Sequence, residues 1–163
     1  MENAAAQAEM DWVVRLVSAI RTVRNEMNVP AGAQIPLLLK DASAETVRRL
    51  DTHRDIILRM ARLSSAETTG DPAPKGAVQA VLDEATVVLP LAGVIDIDQE
   101  KARLTKEIDK LSGEVAKIDQ KLNNANFVSR APEEVIEEQR DRRAAAESAK
   151  QKLAEALARL TSA

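Results

Sequence analysis

Five basic residues recur at intervals that an α-helix would turn toward one side. Residues three, four or seven positions apart share a helix face. A row of cations of this kind can hold the phosphates of a nucleic acid. It is also common on the solvent face of an ordinary coiled coil, so the spacing alone leaves both interpretations open. The five residues, separated by three, four, seven and four positions, are Arg103, Lys106, Lys110, Lys117 and Lys121.

The stretch between Asp119 and Glu133 is locally positive. It contains Lys121 and Arg130 but no Asp or Glu. Because the whole chain has a net charge of −3, bulk attraction to nucleic acid is not expected, and any contact with RNA must depend on such local arrangements. Further cations follow downstream at Arg140, Arg142 and Arg143.

No group of residues suited to catalysis stands out. The chain has one His, no Cys, no glycine-rich phosphate loop and no metal-ligand spacing. We expect His53 to be an exposed helix residue, and the acidic residues around Glu133 to form a solvated face. The sequence therefore predicts no catalytic residue, no metal site and no cofactor in this chain.

Nothing in the sequence predicts a membrane segment. A strongly apolar, uncharged run covers residues 85–95, which is too short to cross a bilayer. The first residues lack the basic and then apolar pattern of a signal peptide. We expect a cytoplasmic protein.

Apolar residues with heptad spacing predict two long helices that pack against each other. Steps of four and three residues run from Leu104 to Leu122, and Pro132 suits the first position of a second helix. A single reversal within residues 123–130 brings the two apolar stripes face to face. We predict an antiparallel two-helix coiled coil over residues 97–163, here called the arm. Its facing pairs are Leu104 with Leu153, Ile108 with Lys150, Leu111 with Ala146, Val115 with Arg143, Ile118 with Gln139, and Leu122 with Ile136.

The remainder of the chain mixes helical and strand patterns. A helix over residues 4–27 precedes a strand over residues 33–40, in which Pro36 favours a sheet edge or the entry of the strand. Together with the arm, this predicts an α+β fold: a small α/β base and a long antiparallel coiled coil. The other predicted elements are a helical stretch after Ser43, either continuous or broken near residues 51–53, a weak strand over residues 64–69, and a hairpin of strands 77–82 and 86–91.

Three segments resemble the C-terminal region of bacterial valyl-tRNA synthetases. Leu122–Ile136 carries Asn residues followed by Phe-Val and then Ala-Pro, as the tip of that family's arm does. Leu89–Asp96 resembles the segment before the arm, and Ile20–Pro30 resembles the link from the anticodon-binding helices. The segments occur in the family's order. The resemblance implies three parts: a linking helix (1–32), an α+β base (33–96) and a tRNA-binding arm (97–163).

The resemblance also implies a function and a partner. Enzymes of this family charge valine-specific tRNA with the help of ATP and magnesium, and their arm grips the outer corner of the tRNA. This chain contains none of their catalytic motifs, so we expect a non-catalytic fragment of a valine–tRNA ligase that has no cofactor of its own. We place the tRNA contact on the outer half of the arm, with Lys110, Lys117, Lys121 and Arg130 as leading residues and Arg140 and Arg143 as secondary ones.

The main alternative is a structural coiled-coil module that binds a protein and not RNA. A single hairpin already uses its apolar stripe internally, which predicts a monomer and leaves the alanines at 144–146 as the obvious extra docking surface. A chaperone-like clasp would need an apolar tip, where only Phe127 and Val128 qualify. Phe127 could stack on a base or cover the end of the hairpin.

Overall fold

The computed structural model describes residues 2–160, which divide into two compact units. The base unit extends to Glu100 and includes Arg159 and Leu160, and the arm unit is Lys101–Ala158. The predicted α+β fold class with a helical arm is confirmed. The predicted boundaries at residues 32 and 96 divide the chain by function and stay predictions. The elements are α1 (Glu2–Glu26), β1 (Ile35–Lys40), α2 (Ala44–Ala61), β2 (Leu63–Thr69), β3 (Ala77–Leu82), β4 (Ala85–Pro90), α3 (Ile97–Leu122), α4 (Ala125–Arg130) and α5 (Glu133–Arg159).

The four strands form one sheet in the order β2-β1-β4-β3. Strands β3 and β4 are the predicted hairpin, and their pairing runs from Ala77 with Pro90 to Leu82 with Ala85. Strands β1 and β2 are parallel and are connected through α2, as a parallel pair requires a long crossover. This parallel pairing was not predicted, because no local pattern in the sequence indicates which distant strand will be the partner.

Pro36 lies in an interior strand, so the prediction of an edge strand is wrong. The alternative, that Pro36 marks the strand entry, is confirmed. Pro36 is the second residue of β1, and the β1–β2 register shifts between it and Ile35. Pairing with β4 begins only at Leu38. The missing N–H of proline is therefore tolerated, because the ladder on that side has not yet started.

Helix α2 is continuous, so the version with a break near residues 51–53 is wrong. Its buried residues Leu50 and Ile57 lie on both sides of that stretch and hold one helix against the base core. Ser43 caps the start of the helix, since its side chain accepts a hydrogen bond from the backbone N–H of Thr46. The helix ends at Ala61, and the capping residue Arg62 adopts a left-handed conformation with φ of 54°.

The core of the base unit is formed by aliphatic side chains and a single indole. Helix α1 buries Trp12, Leu16 and Ile20, and the alternating side chains of β1 point into the same core. The predicted exposure of His53 is wrong. Its side chain is only 22% exposed, and its Nε2 lies 3.6 Å from a carboxylate oxygen of Glu9.

The turn between β3 and β4 is fastened to both base helices. Asp83, at φ of 55°, accepts two hydrogen bonds from the Arg15 guanidinium at 2.8 and 3.1 Å. Glu84 accepts from the Ser43 backbone N–H at 2.7 Å and from the Thr46 hydroxyl at 3.1 Å. These hydrogen bonds, first that from Ser43, hold the pKa of Glu84 below its ordinary value. The turn lacks an Asn-Gly or Asp-Gly pair and is stabilised by its side chains.

In the arm unit, the predicted facing of α3 and α5 is confirmed. Ile118 and Gln139 are both buried and line one groove, as do Leu111 and Ala146. One predicted feature differs slightly: α5 begins at Glu133, one residue after Pro132, whose carbonyl accepts the first hydrogen bonds of the helix. All twelve predicted seam residues are buried or half-buried.

An ion pair joins the two helices of the arm unit beside this seam. Arg143 donates from Nε to Asp119 Oδ1 at 2.6 Å and from Nη2 to Oδ2 at 3.3 Å. Both side chains are about two-fifths exposed. The hydrogen bond from Arg143 holds the pKa of Asp119 below its ordinary value. The pair therefore links α3 to α5 in the same register as the buried seam.

Substitution of Glu84 by Gln is expected to lower the free energy of unfolding at neutral pH. Because the folded pKa of Glu84 is depressed, its contribution is complete above its unfolded pKa of about 4.3 and is lost as pH falls through the folded value. Urea unfolding of wild type and Glu84→Gln at several pH values should therefore show the two stabilities converging in acid. Asp71→Asn, in an exposed loop, is the control. A constant difference down to strongly acidic pH would contradict this account.

Asp119→Asn and Arg143→Gln are each expected to lower the melting temperature of the helical signal slightly. The loss should shrink at high salt, because both partners are partly exposed to solvent. If the two residues act as a pair, the melting temperature of the double variant should fall by less than the sum of the two single decreases. The difference is the coupling between the residues. Circular dichroism melts of all four proteins measure this coupling. Strict additivity would show that the two residues do not stabilise the arm as a pair.

Candidate nucleic-acid interface

Three of the predicted lysines share one side of α3 and are open to solvent. Lys110, Lys117 and Lys121 are exposed, and their spacing turns them to within about 40° of one another around the helix. Among the side chains described, those of residues 3–160, no carboxylate oxygen lies within 4.0 Å of any of their ammonium groups. Arg103, on the same helix, instead lies 3.5 Å from Glu107. The three lysines therefore form no ion pair with the side chains described.

Two of these lysines line a groove of about 570 Å³ between α3 and α5. Lys117 and Lys121 belong to its α3 side, and Arg142 belongs to its α5 side. Short side chains leave the surface of the helices accessible, so the backbone of a ligand can approach while longer cationic side chains reach it from both sides. Glu114 is the single acidic residue among those described as lining the groove. The small and apolar lining residues are Leu111, Ile118, Ala145, Ala146 and Ala149.

The tip of the arm contains a short helix that was not predicted. Helix α4 begins after Asn124, whose side-chain oxygen accepts hydrogen bonds from the backbone N–H groups of Asn126 and Phe127. The signal was present in the sequence, since Asn is a favoured capping residue. Arg130 lies in the last turn of α4 and is exposed. Phe127 is half-buried, which leaves both of its proposed uses open.

The two secondary residues are already engaged by carboxylates. Arg143 is held by Asp119, as described above, and that carboxylate raises the pKa of the guanidinium above its ordinary value. Arg140 lies 3.1 Å from Glu137 on the outside of α5. Arg142, which was not among the predicted contact residues, lines the groove and lies 3.4 Å from Glu138. Sequence spacing could not select it, because its neighbours across the groove belong to another helix.

Acidic residues concentrate on the opposite, outer side of α5. They line an open cavity of about 640 Å³ near the start of the helix. This side of α5 therefore presents acidic groups near the start of the helix, of which Glu137 is paired with Arg140 and Glu138 with Arg142. The residues that line this cavity are Pro132, Glu133, Glu134, Glu137, Glu138 and Asp141.

Within the described part of the chain, no three His, Cys, Asp or Glu side chains are grouped so that they could hold a metal ion. None of the helices described has both the length and the hydropathy needed to cross a membrane. The chemistry that this surface offers is therefore the binding of anions by exposed cations.

Comparison with known proteins agrees with this surface chemistry. Residues 96–161 match the family model for the valyl tRNA synthetase tRNA binding arm. Over 156 residues the chain is 56% identical to a valine–tRNA ligase from Granulibacter bethesdensis. It is 52% identical over 155 residues to one from Gluconobacter oxydans, and 48% identical over 160 residues to one from Caulobacter vibrioides.

The matches cover very different shares of this chain and of its relatives. They cover 95–98% of this chain but only 17–18% of each relative. The family match includes the three helices that carry the lysines, the groove and the tip. The chain therefore belongs to the valyl-tRNA synthetase family, whose C-terminal part it matches and whose tRNA-binding arm is represented by residues 96–161.

Proposed function

We propose that this chain is the non-catalytic, tRNA-binding C-terminal appendage of a valine–tRNA ligase, and that its arm grips the outer corner of the tRNA. The observation that carries the proposal is the row of exposed, unpaired lysines on α3 within the segment that matches the tRNA-binding arm family. Lys110, Lys117, Lys121 and Arg130 are the proposed contacts. Arg140 and Arg143 are secondary, because each would first have to exchange its carboxylate for a phosphate.

Physical reasoning supports an RNA backbone as the ligand. Double-stranded RNA is recognised mainly by its shape, its phosphates and its ribose hydroxyls, so a few well-placed cations suffice. Helix α3 has 26 residues and is about 39 Å long, which gives the arm unit a long contact surface. The absence of acidic residues between Asp119 and Glu133 allows phosphates to approach the tip.

The remaining functions of the ligase are assigned to polypeptide outside this chain. Charging of tRNA with valine, and the ATP and magnesium that it needs, are proposed for the rest of the enzyme. Selection of valine-specific tRNA is likewise shared with that part. Since charging of tRNA serves protein synthesis, we place the enzyme in the cytoplasm.

Lys117→Ala and Lys121→Ala should each weaken tRNA binding by roughly 1.5-fold to fivefold, the effect of losing one exposed ionic contact. Each should also reduce the dependence of log K on log salt by about 0.7–0.9, the contribution of one phosphate contact. Filter binding or fluorescence anisotropy measures both, in this chain and in a full-length valine–tRNA ligase. Lys75→Ala is the matched control, because Lys75 is an exposed lysine in the base unit.

The outcomes separate the possibilities clearly. A loss at Lys75 without a loss at the two arm lysines would place the RNA contact on another surface. Equal and negligible effects at all three positions would contradict tRNA binding by the lysine row.

A second candidate is a structural module that pairs with another protein through the arm. The observation that favours it is the groove lined by alanines, because small side chains allow a further helix to pack closely. Against it, the apolar stripe is already buried within one hairpin, and we propose a monomer. Sedimentation equilibrium over a wide range of concentrations should give the mass of a single chain, 17.7 kDa. A concentration-dependent dimer that Ala145→Lys dissociates would favour the structural module.

A further inference from the structure

Three arginines meet around a pocket of about 300 Å³ in the base unit, distant in sequence from the arm. Arg21 and Arg24 come from the last turns of α1, and Arg62 follows the end of α2. No Asp or Glu is among the residues described as lining this pocket. The other lining residues are Asn25, Val29, Ala31, Met60 and Ala61.

Backbone carbonyl groups hold the three guanidinium groups close together. Arg24 is only 7% exposed and donates to the carbonyls of Pro30 at 3.0 Å and Ala33 at 2.7 Å. It also donates to the carbonyl of Arg62 at 3.2 Å. Arg62 in turn donates from Nη1 to the carbonyl of Ala31, which Arg24 Nη2 approaches at 3.5 Å. The two guanidinium groups thus share one acceptor and lie next to each other.

Arg21 completes the cluster from the outer side. Its Nε donates to the carbonyl of Met60 at 3.1 Å, two residues before Arg62. Arg21 and Arg62 are exposed, so the pocket is accessible from solvent. Each has N–H groups that form no hydrogen bond with the described residues, since a guanidinium has five and each of these two arginines uses one.

The positive charge of this cluster is not neutralised. No carboxylate oxygen of the side chains that the structure describes, from residue 3 to residue 160, lies within 4.0 Å of these three guanidinium groups. Other arginines of the base unit have such partners: Arg15 is paired with Asp83, and Arg159 with Glu26. The carbonyls at the end of α2 carry only partial charges, equivalent to about half an elementary charge. Burial, and then repulsion from Arg62, lowers the pKa of Arg24 from its ordinary value.

We propose that this pocket binds a phosphate group, and that its source is the sugar–phosphate backbone of RNA. Arg21 and Arg62 contact the phosphate oxygens, because the planar guanidinium matches the geometry of an oxyanion with two donors. Arg24 is a positioning residue that supplies buried charge and holds the loop of residues 30–33. The RNA source rests on the proposed function, whereas the phosphate site itself does not. A free phosphate or pyrophosphate has the same chemistry, and a protein carboxylate is the competing macromolecular ligand.

The first experiment tests the site without RNA. Pyrophosphate is titrated into the full chain at constant ionic strength, and the melting temperature and the arginine Nε–Hε signals are followed by NMR. Wild type and Arg59→Gln should show a saturable rise in melting temperature, and Arg62→Gln and Arg21→Gln should not. Arg59 is the matched control, since it is an exposed arginine on α2 outside the pocket lining. Arg21→Gln is included because Arg21 lies on an exposed helix surface, where the substitution should not disturb folding. It therefore tests the site even if Arg62→Gln folds poorly.

The second experiment identifies the source of the phosphate. Arg62→Gln and Arg21→Gln should weaken tRNA binding several-fold and reduce its salt dependence by about one phosphate contact, whereas Arg59→Gln should not. Pyrophosphate binding with unchanged tRNA affinity would overturn the RNA source and leave a free anion. No saturable effect of pyrophosphate in wild type would overturn the site, leaving a structural cluster or a cluster that takes a protein carboxylate. The arm variants Lys117→Ala and Lys121→Ala report on the proposed function separately.

Discussion

Two helices that pack side by side can bury only one narrow stripe each, and this limit governs the arm unit. The stripe is built from Leu, Ile, Val and Ala with a few long polar side chains, and it contains no aromatic ring. Once Ile118 faces Gln139, the helical period decides where every other side chain of α3 and α5 points. The lysines become a row, and the alanines become the lining of a groove. The candidate binding surface is thus a consequence of which residues had to be buried.

In the base unit, hydrogen bonds of polar side chains determine how the helices and strands are arranged. The small aliphatic core does not determine this arrangement by itself. Two acidic residues at the β3–β4 turn connect three elements that are far apart in sequence: Asp83 reaches α1, and Glu84 caps the start of α2. Arg24 connects the end of α1 with the loop before β1 and the end of α2. Such hydrogen bonds specify one arrangement among several that similar apolar burial would permit.

The sequence was most informative where structure is local and periodic. The heptad steps predicted the seam of the arm because a helix repeats its burial every three or four residues. The hairpin of β3 and β4 was predicted from adjacent strand patterns. The parallel pairing of β1 with β2 was not, because α2 separates the two strands and no spacing encodes a distant partner. Helix α4 was missed because six residues are too few to show a period.

The residues of the candidate site also fall into those that the sequence could predict and those that it could not. Helical spacing placed Lys110, Lys117 and Lys121 on one side, because these residues share a helix. It could not include Arg142, which approaches that side only once α5 has folded back, nor foresee that Asp119 would engage Arg143. The arginine pocket of the base unit was also beyond sequence analysis. Its members, Arg21, Arg24 and Arg62, are brought together by the loop and the helix end that separate them.

The acidic outer side of α5 has a consequence for kinetics. A polyanion that approaches from that side is repelled, and one that approaches from the lysine side is attracted, although the arm carries as many acidic as basic residues. Such a separation exerts a torque on the arm during diffusional encounter and increases the share of collisions in the productive orientation. For the proposed RNA ligand, salt should therefore slow association more than it hastens dissociation, so the charge pattern of the arm would set how quickly the ligand is captured as well as how firmly it is held.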